Sequence, residues 1–198
     1  QRAIKQPENI IKAVKYVREE GFLKTIDMLK TKKNIVEASG YSISGIVIGI
    51  GKNINGYDIG DRVAAAGGSA VHAEFVEVPV NLVVKIPDNL DFPLASTVAI
   101  GSIALHAVRR SDASIGEFIV VYGVGLIGQI VIGLLSMCGA RVIAIDINKK
   151  NLTLAKIMGA ENVFDANDIH MIRNVNDLTS GRGVDRVIFS ANTNSNEA

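Results

Sequence analysis

One glycine-rich segment has the residue types and spacing to bind a phosphate group. Residues 123–128 read Gly-Val-Gly-Leu-Ile-Gly, directly after the β-rich run 118–122 and at the start of a helix-like apolar run that ends at Cys138. A glycine turn between strand and helix exposes backbone N–H groups at the positive end of the helix dipole, which favours an anion. The pattern predicts a dinucleotide pyrophosphate site. Its predicted cofactor-binding residues are Gly123, Gly125, Leu126, Ile127 and Gly128.

A single acidic residue follows this loop at the position where a ribose would lie. Asp146 comes directly after the predicted strand 141–145, 18 residues after Gly128. A carboxylate there can accept hydrogen bonds from both ribose hydroxyls and would repel a 2′-phosphate, so we predict NAD(H) rather than NADP(H). Lys149 and Lys150 are close enough in sequence to soften that preference, and Lys150 is included among the predicted cofactor-binding residues. FAD and S-adenosylmethionine domains have related glycine loops and remain alternatives at this point.

Composition excludes several other classes of protein. Of the 198 residues, 48% are hydrophobic, and 21 Lys and Arg balance 20 Asp and Glu, so no strong field would attract nucleic acid or anionic lipid. The longest apolar run is too short to span a membrane. One cysteine, Cys138, rules out an intrachain disulfide and any site that needs several thiolates. No signal peptide is evident, so we expect a cytoplasmic protein without nucleic-acid or membrane partners.

The elements around the loop change character along the chain. Apolar spacing predicts helices between residues 7 and 33, and glycine-punctuated β-type runs follow as far as residue 91. Strands and helices then alternate, which predicts an α/β fold with a parallel, doubly wound sheet. Predicted strands are 46–50, 62–66, 72–78, 82–86, 118–122, 141–145, 162–164 and 184–189. Predicted helices are 94–110, 126–138, 149–158 and 168–178.

Several motifs, taken in order, resemble the medium-chain dehydrogenase/reductase superfamily. They are Gly40-Tyr41-Ser42, Gly45-Ile46-Val47, Gly60-Asp61-Arg62-Val63, Ala73-Glu74-Phe75-Val76-Glu77-Val78-Pro79, the glycine loop and Leu154-Ala155-Lys156-Ile157-Met158-Gly159-Ala160. The resemblance implies a GroES-like β domain followed by a Rossmann domain, and hydride transfer between NAD(P) and a small-molecule substrate. We therefore expect N-terminal helices plus a partial GroES-like domain over residues 1–91, and a partial NAD-binding Rossmann domain over 92–198.

The chain departs from the zinc-dependent members of that superfamily at the metal-ligand positions. Tyr41 stands where they carry a histidine, and Val98 stands where alcohol dehydrogenases carry a cysteine ligand. Neither a phenol in this setting nor an isopropyl group is a good zinc ligand, so we predict no zinc and no other metal site. The remaining candidates for catalysis are Ser102, which matches the proton-relaying hydroxyl of alcohol dehydrogenases, and Tyr41. We expect His72 to be structural and Cys138 to be a buried small hydrophobe.

Three functions remain open. The first is an NAD(H)-dependent, zinc-independent oxidoreductase acting on a carbonyl or alcohol. The second is a quinone- or enoyl-type reductase of activated double bonds, and the third is a non-catalytic NAD-binding module of a larger protein. Segments such as Ala66-Gly67-Gly68 resemble the bi-domain oxidoreductases of polysaccharide gene clusters, which implies a sugar or nucleotide-sugar substrate.

The ends of the chain suggest a piece of a longer protein. It opens on Gln1 without a methionine and stops shortly after a strand-like run. We therefore expect a fragment that could bind ADP-ribose without catalysing a reaction by itself. Members of the superfamily often dimerise, so the resemblance also implies a homo-oligomer.

Overall fold

The computed structural model describes residues 39–191, nearly all within a compact unit that begins at Gly40. The helices predicted between residues 7 and 33 lie outside the described residues, as does the Asn-rich tail after Ala191. Within the described range, no helix has both the length and the hydropathy needed to cross a membrane.

A small antiparallel sheet comes first in the described chain. Strands β1 (Ser42–Ile46), β2 (Arg62–Ala66) and β3 (Val83–Lys85) are arranged in the order β1-β2-β3. Strand β2 has the predicted bounds. The run predicted at 46–50 is wrong beyond Ile46, because Val47 is the last residue that bonds to the neighbouring turn, through the carbonyl of Asp61 at 2.9 Å. The strand predicted at 72–78 does not form, since no ladder partner lies beside it.

Two helices lead from this sheet to the next. Helix α1 (Phe92–Ala95) begins at Asp91, whose carboxylate accepts a hydrogen bond from the Leu94 N–H at 3.0 Å. Helix α2 (Val98–Ser111) follows after a break and ends where Asp112 adopts a left-handed φ of 52°. The single helix predicted at 94–110 is therefore two helices.

The second sheet is parallel and has four strands in the order β6-β5-β4-β7. Its strands are β4 (Phe118–Tyr122), β5 (Arg141–Asp146), β6 (Asn162–Asp165) and β7 (Arg186–Phe189), and its helices are α3 (Leu126–Met137), α4 (Lys149–Ile157) and α5 (Met171–Leu178). Alternate strand residues face opposite sides: Ile119 and Val121 pack with residues of α2, α3 and α4, while Phe118 and Val120 pack with Val175 of α5. The predicted α/β fold, a partial doubly wound sheet preceded by a small β unit, is confirmed.

One ion pair beside the small sheet gives the stability of the fold a pH-dependent contribution. Lys85 Nζ lies 2.8 Å from Asp61 Oδ2, and the Asp58 N–H donates to the same oxygen at 2.7 Å. The hydrogen bond from Lys85 is the main reason that the pKa of Asp61 is lowered, and the same bond raises the pKa of Lys85. A lowered carboxyl pKa stabilises the fold above the unfolded-chain value of about 3.9, and this stabilisation is lost as the pH falls through the folded value.

We therefore expect Asp61→Asn to remove part of the acid sensitivity of the fold. The variant should unfold at lower urea concentration than the unmodified protein at neutral pH, and the difference should shrink in acid. Urea unfolding at a series of pH values measures this, with Asp88→Asn as the exposed control. A constant difference at every pH would contradict the assignment.

Candidate functional site

The glycine loop joins strand β4 to helix α3, as its spacing predicts. Gly123 has a φ of +84°, and a Cβ added there would overlap the backbone of Ala191, so this position needs glycine. Its N–H donates to the carbonyl of Ile145 at 2.8 Å. The first residue of the loop is therefore fixed between the ends of β5 and β7.

Gly128 allows helix α3 to start directly against that turn. A Cβ at Gly128 would overlap the carbonyl oxygen of Gly123 and would lie 3.0 Å from Ser190 Oγ. The Ser190 hydroxyl donates a hydrogen bond to the same Gly123 carbonyl. Because backbone and side chain occupy all the space around Gly128, the helix cannot approach this closely with any larger residue.

Gly125 is in the opposite situation. It is exposed, it has an ordinary φ of −69°, and no atom of the described residues lies within 4 Å of a Cβ placed there. As the N-cap of α3 it offers no side-chain acceptor to the first-turn N–H groups of the helix. The loop thus presents free backbone donors to open space, which fits the approach of an anionic pyrophosphate.

Asp146 lies beside the loop at the carboxyl end of β5. Its Oδ2 accepts a hydrogen bond from the Val124 N–H at 2.7 Å, and its Oδ1 accepts one from the Asn148 N–H at 2.7 Å. The Asn151 side-chain amide lies 3.4 Å from Oδ2. A carboxylate has about four lone-pair sites, so these contacts leave acceptor capacity for a further ligand. The structure thus brings Asp146 and the predicted loop together.

Lys150 stands in the first turn of α4. Asn148 caps this helix, its side-chain oxygen accepting a hydrogen bond from the Lys150 N–H at 3.0 Å. The Lys150 residue is exposed. Its side chain is therefore open to solvent, four residues after Asp146 in the chain.

Gln129 belongs to this site and was not predicted from the sequence. It is only 6% exposed, and its side-chain NH2 donates to the carbonyls of Val124 at 2.7 Å and Asn151 at 2.9 Å. Its Oε1 is buried and has no partner among the described residues. The available signal was a lone amide in the apolar run of α3, where a polar side chain needs a partner.

The two candidate catalytic residues lie near the junction of β1 with α2. Tyr41 is 49% exposed, and its carbonyl accepts a hydrogen bond from the Gly67 N–H at 2.9 Å. Ser102 is exposed, and its hydroxyl donates to the Val98 carbonyl at 2.8 Å. Within residues 39–191, no hydrogen bond joins either residue to the glycine loop. Their catalytic roles stay predictions.

Two further side chains bear on the sequence-based expectations. Cys138 is exposed, so the expectation of a buried cysteine is wrong: it directly follows the last residue of α3. His72 is exposed as well, and its ring lies where a Cβ at Gly40 would be. Among the residues that the structure describes, no three His, Cys, Asp or Glu side chains are grouped as metal ligands.

Comparison with known proteins finds dehydrogenases and a structure with a bound nicotinamide dinucleotide. A family model described as zinc-binding dehydrogenase matches residues 127–196. (R,R)-Butanediol dehydrogenase of Bacillus subtilis is 29% identical over 171 residues, which are 74% of this chain and 49% of that protein. The structure of mycobacterial Rv1454c complexed with NADPH has 28% identity and a TM-score of 0.68, and the match covers 75% of this chain and 48% of that one.

A more distant structure agrees in fold. Escherichia coli quinone oxidoreductase complexed with NADPH has a TM-score of 0.72 at 20% identity, with 81% of this chain and 50% of that one covered. At that identity the likeness concerns the fold alone. The chain spans about half the length of the curated relative and of the solved structures it matches.

The contrast between two loop glycines gives a direct test of the site. Gly125→Ala should change the free energy of unfolding by less than about 1 kcal/mol, because its methyl group meets no atom, while it weakens NADH binding about tenfold or more by blocking the ligand. Gly128→Ala should lower the free energy of unfolding by about 2 kcal/mol, because the added methyl group overlaps a backbone carbonyl. Urea unfolding and NADH fluorescence titration separate the two effects. Unimpaired NADH binding by a folded Gly125→Ala variant would contradict a pyrophosphate at this loop.

Proposed function

We propose that this chain belongs to the medium-chain dehydrogenase/reductase superfamily and supplies the dinucleotide site of an NAD(H)-dependent oxidoreductase that works without zinc. The proposed reaction is hydride transfer to or from a carbonyl or alcohol. The observation that carries the proposal is the open Gly125 position at the uncapped start of α3, with the Asp146 carboxylate beside it.

The proposal assigns a binding role to each predicted cofactor residue. The N–H groups at the start of α3, those of Leu126 and Ile127, would bind the pyrophosphate, and Gly125 leaves room for its approach. Asp146 would accept hydrogen bonds from the adenosine ribose with its remaining lone pairs, and Lys150 would lie near the adenosine edge. When bound, the nicotinamide dinucleotide supplies the hydride-carrying ring. The chain itself binds and orients the adenosine half.

Asp146 makes NAD(H) the favoured cofactor in this proposal. A 2′-phosphate would stand against a carboxylate that is already fixed by two short hydrogen bonds and so cannot easily turn away. The positive charge of the exposed Lys150 would attract a 2′-phosphate and so reduce the preference for NAD(H). Two of the similar structures were solved with NADPH, so the preference of this chain has to be measured rather than transferred.

Replacing Asp146 with serine should narrow the difference between the two cofactors. The unmodified protein should bind NADH at least about tenfold more tightly than NADPH, and Asp146→Ser should reduce that ratio by removing the repulsion of the 2′-phosphate. Fluorescence titration with both dinucleotides measures the ratio. Asp168→Ser is the matched control, because Asp168 also accepts a hydrogen bond from the N–H two residues later, at 2.9 Å. Equal affinities in the unmodified protein would refute the proposed preference.

The zinc-free part of the proposal depends on the residue types at Tyr41 and Val98, whose following residues are hydrogen-bonded to each other. Ser42 Oγ accepts a hydrogen bond from the Ala99 N–H at 3.2 Å, so the residue after Tyr41 contacts the residue after Val98. A phenol and an isopropyl group at these positions do not match the thiolate and imidazole donors that zinc requires. We propose that a hydroxyl of Tyr41 or Ser102 instead polarises the substrate oxygen or transfers its proton. Ser102 would first have to break its bond to the Val98 carbonyl.

Measurement of substrate turnover distinguishes the proposed oxidoreductase from a double-bond reductase and from a non-catalytic module. Substrate-dependent change in NADH absorbance should occur in the full-length protein with carbonyl or alcohol substrates, and dialysis against a zinc chelator should leave the rate unchanged. Sugars and nucleotide sugars are the first substrates to try, on the resemblance to bi-domain oxidoreductases. Turnover of quinones or enones alone would favour the double-bond reductase. Dinucleotide binding without turnover of either substrate class would indicate a non-catalytic module, and loss of activity in chelator would refute zinc independence.

A further inference from the structure

Gln129 is the only strongly buried amide side chain among the described residues, and it lies directly below the glycine loop. Its NH2 group bonds to two main-chain carbonyls, those of Val124 in the loop and Asn151 in α4. Both partners are acceptors, so only the NH2 end of the amide can face them. The side chain therefore ties the loop to a helix 22 residues further along the chain.

The same two residues also hold the Asp146 carboxylate. The Val124 N–H donates to Asp146 Oδ2 at 2.7 Å, and the Asn151 side-chain amide lies 3.4 Å from that oxygen. Each of the two residues thus contacts Gln129 through its carbonyl and Asp146 through an N–H group. A closed polar network beneath the loop is thus formed by four residues: Val124, Gln129, Asp146 and Asn151.

The acceptor end of Gln129 shows that this arrangement has a free-energy cost. Its Oε1 is buried and has no hydrogen-bond partner among the described residues. A methionine or leucine of similar volume would avoid that cost in an otherwise apolar helix, but would remove the side-chain donor that the Val124 and Asn151 carbonyls share. Gln129 therefore fits a role in positioning the loop better than a role in stabilising the fold as a whole, because its buried Oε1 has no partner among the described residues.

We infer that Gln129 is a positioning residue for dinucleotide selection, which acts by fixing Val124 and Asn151, two of the three residues that donate hydrogen bonds to Asp146. The inference rests on the proposed function, since it assumes that the dinucleotide binds at this loop. With Gln129 intact, Asp146 is oriented toward the ribose and repels a 2′-phosphate. Without the amide, the loop and the start of α4 lose their common anchor, and the carboxylate turns more freely.

The test compares Gln129→Met with Ile132→Val, a change at another buried position of the same helix that makes no hydrogen bond to the loop. NADH and NADPH are titrated into each protein, and thermal unfolding is recorded. Gln129→Met should weaken NADH binding about tenfold and NADPH binding clearly less, so that the ratio of the two dissociation constants narrows. Ile132→Val should leave that ratio unchanged whatever its unfolding temperature. If Gln129→Met does not fold, Gln129→Leu takes its place.

A double-mutant cycle with Asp146→Ser decides whether Gln129 acts through the carboxylate. If it does, Gln129→Met changes the ratio of the NADH and NADPH dissociation constants when Asp146 is present. The same substitution leaves that ratio unchanged in the Asp146→Ser variant. Equal weakening of both dinucleotides, or no weakening, overturns the inference while leaving the proposed function standing. If the folded, unmodified protein binds neither dinucleotide, the proposed function fails and the inference fails with it.

Discussion

The close approach of helix α3 to the turn after β4 is the constraint on which the site depends. Gly128 sits against the Gly123 carbonyl, to which the Ser190 hydroxyl also donates a hydrogen bond. This contact ties the helix to the ends of β4 and β7 and leaves Gly125 as the exposed point of the loop. A helix start held further from the sheet would lose the alignment between its free N–H groups and the end of β5, where Asp146 stands.

Asp146 couples the shape of the loop to the selectivity proposed for it. The carboxylate is an acceptor for Val124 in the loop and for Asn148 at the start of α4, so it is a structural residue before any ligand binds. Its orientation is consequently set by the parts of the chain that a dinucleotide would contact. Exchange of Asp146 therefore affects the loop as well as the ligand, because the Val124 N–H loses its carboxylate acceptor.

The local sequence pattern predicted the bounds of a strand correctly where its apolar residues are in fact buried in the fold. The run 118–122 is buried along most of its length, and both it and strand 62–66 have the predicted bounds. The strand predicted at 72–78 failed because a strand needs a partner, which no local pattern reveals. Exposure of Cys138 depends on which face of α3 meets the sheet at its end. Gln129 could not be assigned, since its partners are one residue in the loop and another in a separate helix.

Hydroxyl hydrogen bonds at the junction between the two sheets hold the strand that follows the turn at Tyr41. Ser42 Oγ donates to the Ser96 carbonyl at 2.6 Å and accepts from the Ala99 N–H, so it binds both sides of the break before α2. Ser44 Oγ likewise donates to a carbonyl of α1, that of Phe92, at 2.6 Å. These bonds join β1 to the two helices through side-chain hydroxyl groups. Catalysis by Tyr41 or Ser102 at this junction would depend on hydrogen bonds from hydroxyl groups. Such bonds are weaker where water has access, so the rate would depend on how completely the bound substrate excludes solvent.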